Sequence, residues 1–205
     1  MSVPDAWGLK YHEVVGLCWL AYKGQGNVGN WSFPNVGSTW RVTRVIERGP
    51  FRAIVAQGSK TVLSFAGTDE GLDWLDNVAQ GVAGISGQYA YALGVAAANA
   101  ADVVVGHSLG GGLASYCGVY GGRPTATINP AALNINIASG IAMIRNGGLV
   151  MNYVATGEAL DILDIAAPTM TRVGRIIRIS SNGGWSPVAR HLLPNLSGFV
   201  APVRA

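Results

Sequence analysis

The chain has 205 residues, of which 49% are hydrophobic and only 12% charged, and its formal net charge is +3. This length suits one domain with a sizeable buried core, so we expect a single domain over residues 1–205. The 14 Lys and Arg residues are scattered and form no cluster with interleaved aromatic side chains, which argues against a nucleic-acid partner.

Three features bear on the compartment of the protein. The two cysteines, Cys18 and Cys117, lie in apolar surroundings and predict buried free thiols rather than a disulfide framework. The first residues, MSVPDAWGLKYHEV, lack the basic and then apolar pattern of a signal peptide. The uncharged stretch 77–101 contains polar amides and four glycines, which make it a poor membrane span. We expect a soluble chain, either cytoplasmic or exported by a route that needs no signal peptide, as a bacterial effector is.

The first third of the chain predicts a helix, a loop and three strands. Apolar residues at helical spacing predict a helix over Tyr11–Tyr22. Glycine, asparagine and proline predict a loop over Gly24–Gly37. Apolar or alternating runs predict strands over Arg41–Ile46, Phe51–Ala56 and Thr61–Ala66. The first two of these strands are expected to form a hairpin.

Helices and strands alternate in the rest of the chain. The predicted helices are Gln88–Ala101, Leu109–Tyr120, Leu133–Arg145 and a segment from Ala189 onward. The predicted strands are Asp102–Val105, Thr125–Ile128, Leu149–Ala155 and Arg175–Ser180. This alternation is typical of an α/β protein in which helices cover both faces of a mostly parallel sheet.

The segment VVVGHSLGGG, residues 103–112, contains the pattern G-x-S-x-G around Ser108. The pattern alone is weak evidence in a chain with 29 glycines. Its context is stronger, because an apolar strand precedes Ser108 and a helix follows it, as a nucleophile elbow requires. The helix N-terminus also offers free N–H groups and a positive dipole end to an oxyanion. We therefore predict that Ser108 is a nucleophile and not an incidental serine in a tight turn.

A serine nucleophile needs a base, and the chain has three histidines. His107 lies inside the elbow and is expected to point away from the serine, and His12 precedes the nucleophile in the N-terminal helix. His191 follows Ser108 in a predicted loop, which agrees with the order serine, acid, histidine of α/β-hydrolases. We predict His191 as the general base, the alternative being a surface or helix-capping histidine.

The segment TVLSFAGTDEGLDWLDN, residues 61–77, and the elbow together resemble the class 3 (fungal-type) lipases of the α/β-hydrolase fold. The motifs that carry the resemblance are Phe65-Ala66-Gly67-Thr68, Asp73-Trp74 and the elbow itself. Ala66 stands where these lipases usually have an arginine, which puts a local salt bridge in doubt. The resemblance covers roughly Thr61 to the C-terminus.

The resemblance implies the remaining site residues. Thr68 would supply an oxyanion-hole N–H, with its hydroxyl as a second candidate donor, and Leu109 would supply the other N–H. The acid would follow the strand Leu149–Ala155, where Glu158 and Asp161 both fit. Glu158 is favoured because it comes first beyond the strand.

Other polar and aromatic residues near these motifs receive structural roles. Asp164 is a third carboxylate beyond the same strand. Asp69 and Asp73 are expected to hold their loop by side-chain hydrogen bonds, and Trp74 is expected to lie in the core. The segment Val78–Leu93 is expected to border the acyl pocket, because too few residues separate the oxyanion loop from the elbow for a long lid helix.

Together these residues predict a serine carboxylic ester hydrolase, a lipase or esterase that cleaves acyl esters of lipids through an acyl-enzyme. No cofactor and no metal ion are expected. The expected partner is a lipid or small ester substrate, at a membrane or lipid surface. The alternatives are an acyltransferase or thioesterase that uses the same residues, and a non-catalytic binding module of the α/β-hydrolase fold.

Overall fold

A computed structural model describes residues 3–68, 82–134, 137–161 and 170–205. The roles predicted for Asp69, Asp73, Trp74 and Asp164 concern positions outside these ranges, as does the first part of the segment expected to border the acyl pocket.

The described strands form one large sheet and one small one. They are β1 (Gly29–Phe33), β2 (Ser38–Arg48), β3 (Phe51–Gln57), β4 (Thr61–Phe65), β5 (Val103–His107), β6 (Thr125–Ile128), β7 (Leu133–Asn134), β8 (Val150–Ala155), β9 (Met170–Thr171), β10 (Arg175–Ile179) and β11 (Val203–Arg204). Within the described ranges the large sheet has nine strands in the order β10-β8-β6-β5-β4-β3-β2-β1-β11, and β7 pairs with β9.

Helices lie on both faces of the large sheet. They are α1 (Tyr11–Ala21), α2 (Val82–Ala98), α3 (Leu109–Gly121), α4 (Ile137–Asn146) and α5 (Pro187–His191), with 3-10 turns at Gly147–Leu149 and Leu193–Asn195. One core lies between α1 and the sheet, and a second lies between the sheet and the pair α2 and α3.

The sheet is parallel in the half that carries the elbow. The neighbours β4, β5, β6, β8 and β10 pair in parallel, whereas β3, β2, β1 and β11 extend the sheet antiparallel. The mostly parallel sheet expected from the sequence is therefore a mixed one over the described strands. Parallel strands end at one edge, so residues that follow β4, β5, β6, β8 and β10 meet there.

Successive side chains of the parallel strands enter opposite cores. Val103 and Val105 of β5 pack on the α1 side, and Val104 packs on the side of α2 and α3, as the strand period of two requires. All three are buried, and full burial of a valine stabilises a fold by about 1.5–3 kcal/mol. The apolar run before Ser108 therefore fixes the strand on which the elbow stands.

The two cysteines lie one in each core. Cys18 of α1 and Cys117 of α3 are buried and free, as predicted. Burial raises the pKa of both thiols, that of Cys117 to about 12. Separately, no helix within the described residues is both long and apolar enough to cross a membrane.

The loop predicted over Gly24–Gly37 is wrong at its centre, where β1 pairs antiparallel with β2. Trp31 and Phe33 alternate with polar residues and turn into the core on the α1 side. This period-two pattern indicates a strand, but the surrounding glycine, asparagine and proline residues favoured the prediction of a loop.

The helix predicted over Leu133–Arg145 begins only at Ile137, because Leu133 and Asn134 form β7 with β9. Leu133 is buried beside Val150 and Val173, so the first two residues of the predicted helix lie in a strand instead. The helix predicted from Gln88 begins earlier, at Val82.

Two differences concern the site directly. The strand predicted over Asp102–Val105 extends to His107 and so leads straight into Ser108. His191 lies in the last position of α5 and not in a loop. The helix begins at Pro187 because the side chain of Ser186 accepts a hydrogen bond from the Ala189 N–H (3.2 Å), which makes Ser186 a typical N-cap.

Candidate active site

Ser108 lies in the turn between β5 and α3 with a strained backbone. Its φ is 57° and its ψ is −127°, a region that non-glycine residues rarely adopt. Its N–H donates to the carbonyl of Ile128 (3.2 Å), and its carbonyl accepts from the N–H groups of Gly112 (3.1 Å) and Ala131 (2.9 Å). The turn is thus held by the neighbouring strand β6 and its following loop as well as by the helix it opens.

The glycines around Ser108 are required by the close approach of the backbone. A Cβ at Gly106 would collide with the carbonyl oxygen of Gly110, and a Cβ at Gly110 would collide with the carbonyl oxygen of Phe65. A Cβ at Gly111 would lie 2.8 Å from the Cα of Pro130. The backbone around Ser108 therefore requires glycine two positions before the serine and two positions after it.

His191 and Glu158 form a buried pair at the same edge of the sheet. Nδ1 of His191 lies 2.6 Å from Oε2 of Glu158, and the side chains are 1% and 0% exposed. A ring nitrogen that faces a carboxylate carries the proton, so Nε2 of the neutral imidazole has the lone pair. This tautomer is the one that a general base for a serine hydroxyl needs.

Glu158 accepts hydrogen bonds on both carboxylate oxygens. Oε2 also accepts from the N–H of Leu160 (2.9 Å), and Oε1 accepts from the N–H of Asp161 (2.8 Å) and from Nη2 of Arg172 (2.6 Å). Burial raises the pKa of Glu158, but the bond to His191, the charges of His191 and Arg172 and the Leu160 N–H together hold it below its ordinary value. The carboxylate is therefore ionised at neutral pH.

Asp161, the other predicted carboxylate, faces a different set of partners. Its Oδ2 accepts from Nη1 of Arg178 (2.7 Å) and from the N–H of Gly157 (3.4 Å), and its Oδ1 accepts from Nη1 of Arg172 (3.3 Å). Its side chain is 22% exposed. The structure thus brings Glu158 to His191, while the described bonds of Asp161 go to arginines and one backbone N–H.

Arg172 is a site residue that the sequence analysis missed. Its side chain bridges Glu158 and Asp161, and its Nε donates to the carbonyl of Pro130 (3.1 Å). The side chain is only 3% exposed. A signal was available, since an arginine in an apolar stretch needs carboxylate partners if it is buried.

His107 contacts the main chain of His191. Its Nε2 lies 2.9 Å from the carbonyl oxygen of His191, and its Nδ1 lies 2.6 Å from the hydroxyl of Tyr22. Burial and the neighbouring His191 hold the pKa of His107 well below its usual range, although the bond to the His191 carbonyl acts in the opposite direction. Both ring nitrogens of a neutral His107 are therefore engaged, which agrees with its exclusion as a base.

The two residues predicted for the oxyanion hole line one cavity. Thr68, just beyond β4, and Leu109, the first residue of α3, border a cavity of about 310 Å³. The chain before Thr68 runs against the elbow, since a Cβ at Gly67 would lie 3.1 Å from the Cβ of Ser108. The cavity is also lined by the exposed Lys23 and by the buried Arg52.

Arg52 is bound on all sides by acceptors. Its Nε pairs with Glu47 (2.8 Å), and its terminal nitrogens donate to backbone carbonyls at and beyond the end of α1, including that of Tyr22 (2.6 Å). It therefore fixes the C-terminal end of α1 beside the cavity. Within the described residues, no group of three or more His, Cys, Asp or Glu side chains is arranged to hold a metal ion.

The chain is similar to known phospholipases. Residues 47–183 match a phospholipase-like family described as the Tle-like phospholipase domain. An extracellular phospholipase A1 from Serratia liquefaciens is 40% identical over 88 residues, which are 40% of this chain and 27% of that protein. The match thus spans about a quarter of the length of this curated relative.

These similarities support the lipase and phospholipase part of the resemblance seen in the sequence, without specifying the class 3 lipases. The family match covers more than half of the chain and includes both the elbow and Glu158. The chain therefore belongs to the Tle-like phospholipase domain family.

Proposed function

We propose that this protein is a serine hydrolase of the α/β-hydrolase fold that cleaves an acyl ester bond of phospholipids. The observation that carries the proposal is the buried 2.6 Å pair of His191 and Glu158 at the sheet edge where a strained turn carries Ser108. The family match and the phospholipase A1 relative support a phospholipid as the substrate. The mixed sheet, with its strand, turn and helix around Ser108, supports the fold.

In the proposed reaction, Ser108 Oγ attacks the acyl carbonyl carbon while Nε2 of His191 takes the hydroxyl proton. The carbonyl oxygen becomes an oxyanion, which the N–H groups of Leu109 and Thr68 stabilise. His191 then gives its proton to the leaving alcohol oxygen, and the acyl group stays on Ser108. His191 next deprotonates a water molecule, which attacks the acyl carbon; the bond from that carbon to Ser108 Oγ breaks, the fatty acid leaves, and His191 returns the proton to Oγ.

Glu158 serves this cycle without touching the substrate. Its carboxylate keeps the His191 proton on Nδ1 and stabilises the imidazolium formed during attack. Arg172 and two backbone N–H groups hold the carboxylate in the ionised form that this role requires. The lowered pKa of Glu158 supports this assignment.

Two surface features support a phospholipid surface as the partner. Lys23 lines the cavity of Thr68 and Leu109, where an ammonium group suits the phosphate of a phospholipid. Trp185 is 97% exposed in the turn just before α5, and indole side chains favour the interface between water and lipid. We therefore propose that the site opens toward a lipid surface.

The experiment compares wild type with Ser108→Ala on phosphatidylcholine vesicles, on triacylglycerol and on a soluble p-nitrophenyl ester. We expect wild type to release fatty acid and lysophospholipid and to be labelled by a fluorophosphonate. Ser108→Ala should lose labelling and more than about 10⁴-fold in rate, with an unchanged circular dichroism spectrum. An added alcohol that receives the acyl group would indicate an acyltransferase. A folded wild type that is neither active nor labelled would contradict the proposal and favour a binding module.

A further inference from the structure

The carbonyl oxygen of His191 is held by two buried side chains. His107 donates to it from Nε2 (2.9 Å), and Asn129 donates to it from Nδ2 (2.9 Å). A carbonyl oxygen has two lone pairs, so these donors use its full capacity. Neither bond involves the imidazole ring of His191, whose Nδ1 bonds to Glu158.

The direction of the His107 bond is fixed by its neighbours. A carbonyl can only accept, so Nε2 of His107 must carry the proton, and Nδ1 must then accept from the Tyr22 hydroxyl at 2.6 Å. Tyr22 directly follows α1, whose end is anchored by Arg52. The orientation of the His107 ring, which donates to His191, is thus set by Tyr22, a residue outside the elbow.

The direction of the Asn129 bond is fixed in the same way. Its Oδ1 accepts from the N–H of Ala155 (2.8 Å), so its amide nitrogen must face His191. Its own N–H donates to the carbonyl of Tyr153 (2.8 Å). Asn129 is fully buried with φ of 42°, a left-handed conformation that asparagine tolerates better than most residues. It ties the ends of β6 and β8 to His191.

His191 needs such support because its own helix is short. α5 has five residues, and an isolated helix of that length is not stable in water. His107 immediately precedes Ser108, and Asn129 joins the strand end after which Glu158 follows. His107 therefore fixes the main chain of His191 relative to Ser108, and Asn129 fixes it relative to Glu158.

We propose that His107 and Asn129 are positioning residues that hold the backbone of His191 so that its Nε2 meets Ser108 Oγ. They act through His191 and contact no substrate. This inference rests on the proposed ester hydrolysis. A misplacement of about 1 Å in a catalytic group can cost about 10²-fold in rate, which sets the scale of the expected effect.

The test uses a matched pair of variants at His107. His107→Leu removes the donor, whereas His107→Gln places an amide N–H near the former Nε2. We expect His107→Leu to lower kcat on a soluble p-nitrophenyl ester by about 10- to 100-fold with KM unchanged, and His107→Gln to recover to within about threefold of wild type. His12→Leu, at the start of α1, is the control and should keep the wild-type kcat.

Asn129→Asp tests the second donor. It keeps the shape and the acceptor for the Ala155 N–H but turns an oxygen toward the His191 carbonyl. We expect kcat to fall by about 10- to 100-fold, together with the rate of fluorophosphonate labelling. All rates are measured well below the melting temperature of each variant and per folded molecule, so a loss of stability alone does not change them.

The outcomes separate this inference from the function on which it rests. An inactive wild type would overturn the proposed function. An active wild type with His107→Leu and Asn129→Asp at wild-type kcat would overturn the positioning role alone. Equal losses in His107→Leu and His107→Gln would also overturn it, because a restored donor would then have no effect.

Discussion

Glu158→Gln is the sharpest test of the proposed acid, because the partners of this carboxylate described above are all donors. The partners are the N–H groups of Leu160 and Asp161, Nη2 of Arg172 and Nδ1 of His191. An amide offers one oxygen and one NH₂ group. In either orientation of the amide, its NH₂ group therefore faces a backbone N–H or a guanidinium group, neither of which can accept a hydrogen bond.

The size of the expected kcat loss depends on which of these partners can change from a hydrogen-bond donor to an acceptor. A backbone N–H and a guanidinium cannot become acceptors, whereas His191 can move its proton to Nε2 and accept at Nδ1. That tautomer cannot take the serine proton, so we expect kcat to fall by about 10³- to 10⁴-fold. Loss of charge-assisted hydrogen bonds should also cost about 1.5–3 kcal/mol of unfolding free energy. For a protein of this size, each kcal/mol lowers Tm by about 2–4 °C.

The matched control is Asp161→Asn. Asp161 is 22% exposed and bonds to Arg172, Arg178 and a backbone N–H, so we expect a kcat loss below about tenfold, since the orientation of His191 is kept. Both variants are assayed with a p-nitrophenyl ester at saturating substrate and melted by circular dichroism. The reverse ranking would transfer the role to Asp161, and mild effects in both would refute the reasoning that His191 needs a carboxylate.

Three further predictions follow from the geometry. Thr68→Val should lower kcat by about 10²-fold with little change in KM if its hydroxyl donates to the oxyanion; an unchanged kcat would leave only its backbone N–H in that role. The pKa of Glu158 is lowered in the fold, so its contribution to stability is complete above the ordinary value of about 4.3 and is lost as the pH falls through the lowered value. The Tm gap between wild type and Glu158→Gln should therefore close in acid, and a gap that is constant with pH would count against this linkage. Trp185→Ala should reduce hydrolysis of phospholipid vesicles several-fold more than hydrolysis of a soluble ester, and equal effects on both would mean that Trp185 does not contact lipid.

The sequence predicted the elbow well because its determinants are local. A strand, a serine between glycines and a helix follow one another within ten residues, and the steric conflicts at Gly106 and Gly110 arise inside the same segment or from the adjacent strand. His191 was predicted as the base by elimination among three histidines and from its place after Ser108 in the chain. The choice between Glu158 and Asp161 was weaker, because both follow the same strand at similar distance along the chain.

What separates the two carboxylates is tertiary. Arg178 of β10 bonds to Asp161, Arg172 bonds to both carboxylates, and Glu158 is the carboxylate that bonds to Nδ1 of His191. The order of the strands in the sheet cannot be derived from the sequence alone, so these contacts between arginines and carboxylates could not be predicted. The same holds for Asn129, whose role depends on the ends of β6, β8 and α5 meeting at one edge.

The two buried thiols lie on opposite faces of the sheet, so their accessibility to a reagent measures the unfolding of each face. Cys18 is sealed between α1 and the sheet, and Cys117 is sealed on the opposite side beneath α2 and α3. A thiol-reactive dye can reach either one only after the corresponding layer has separated from the sheet. The labelling rates of Cys18→Ala and Cys117→Ala, compared at rising urea concentration, therefore measure whether the two layers detach in one cooperative event or one after the other.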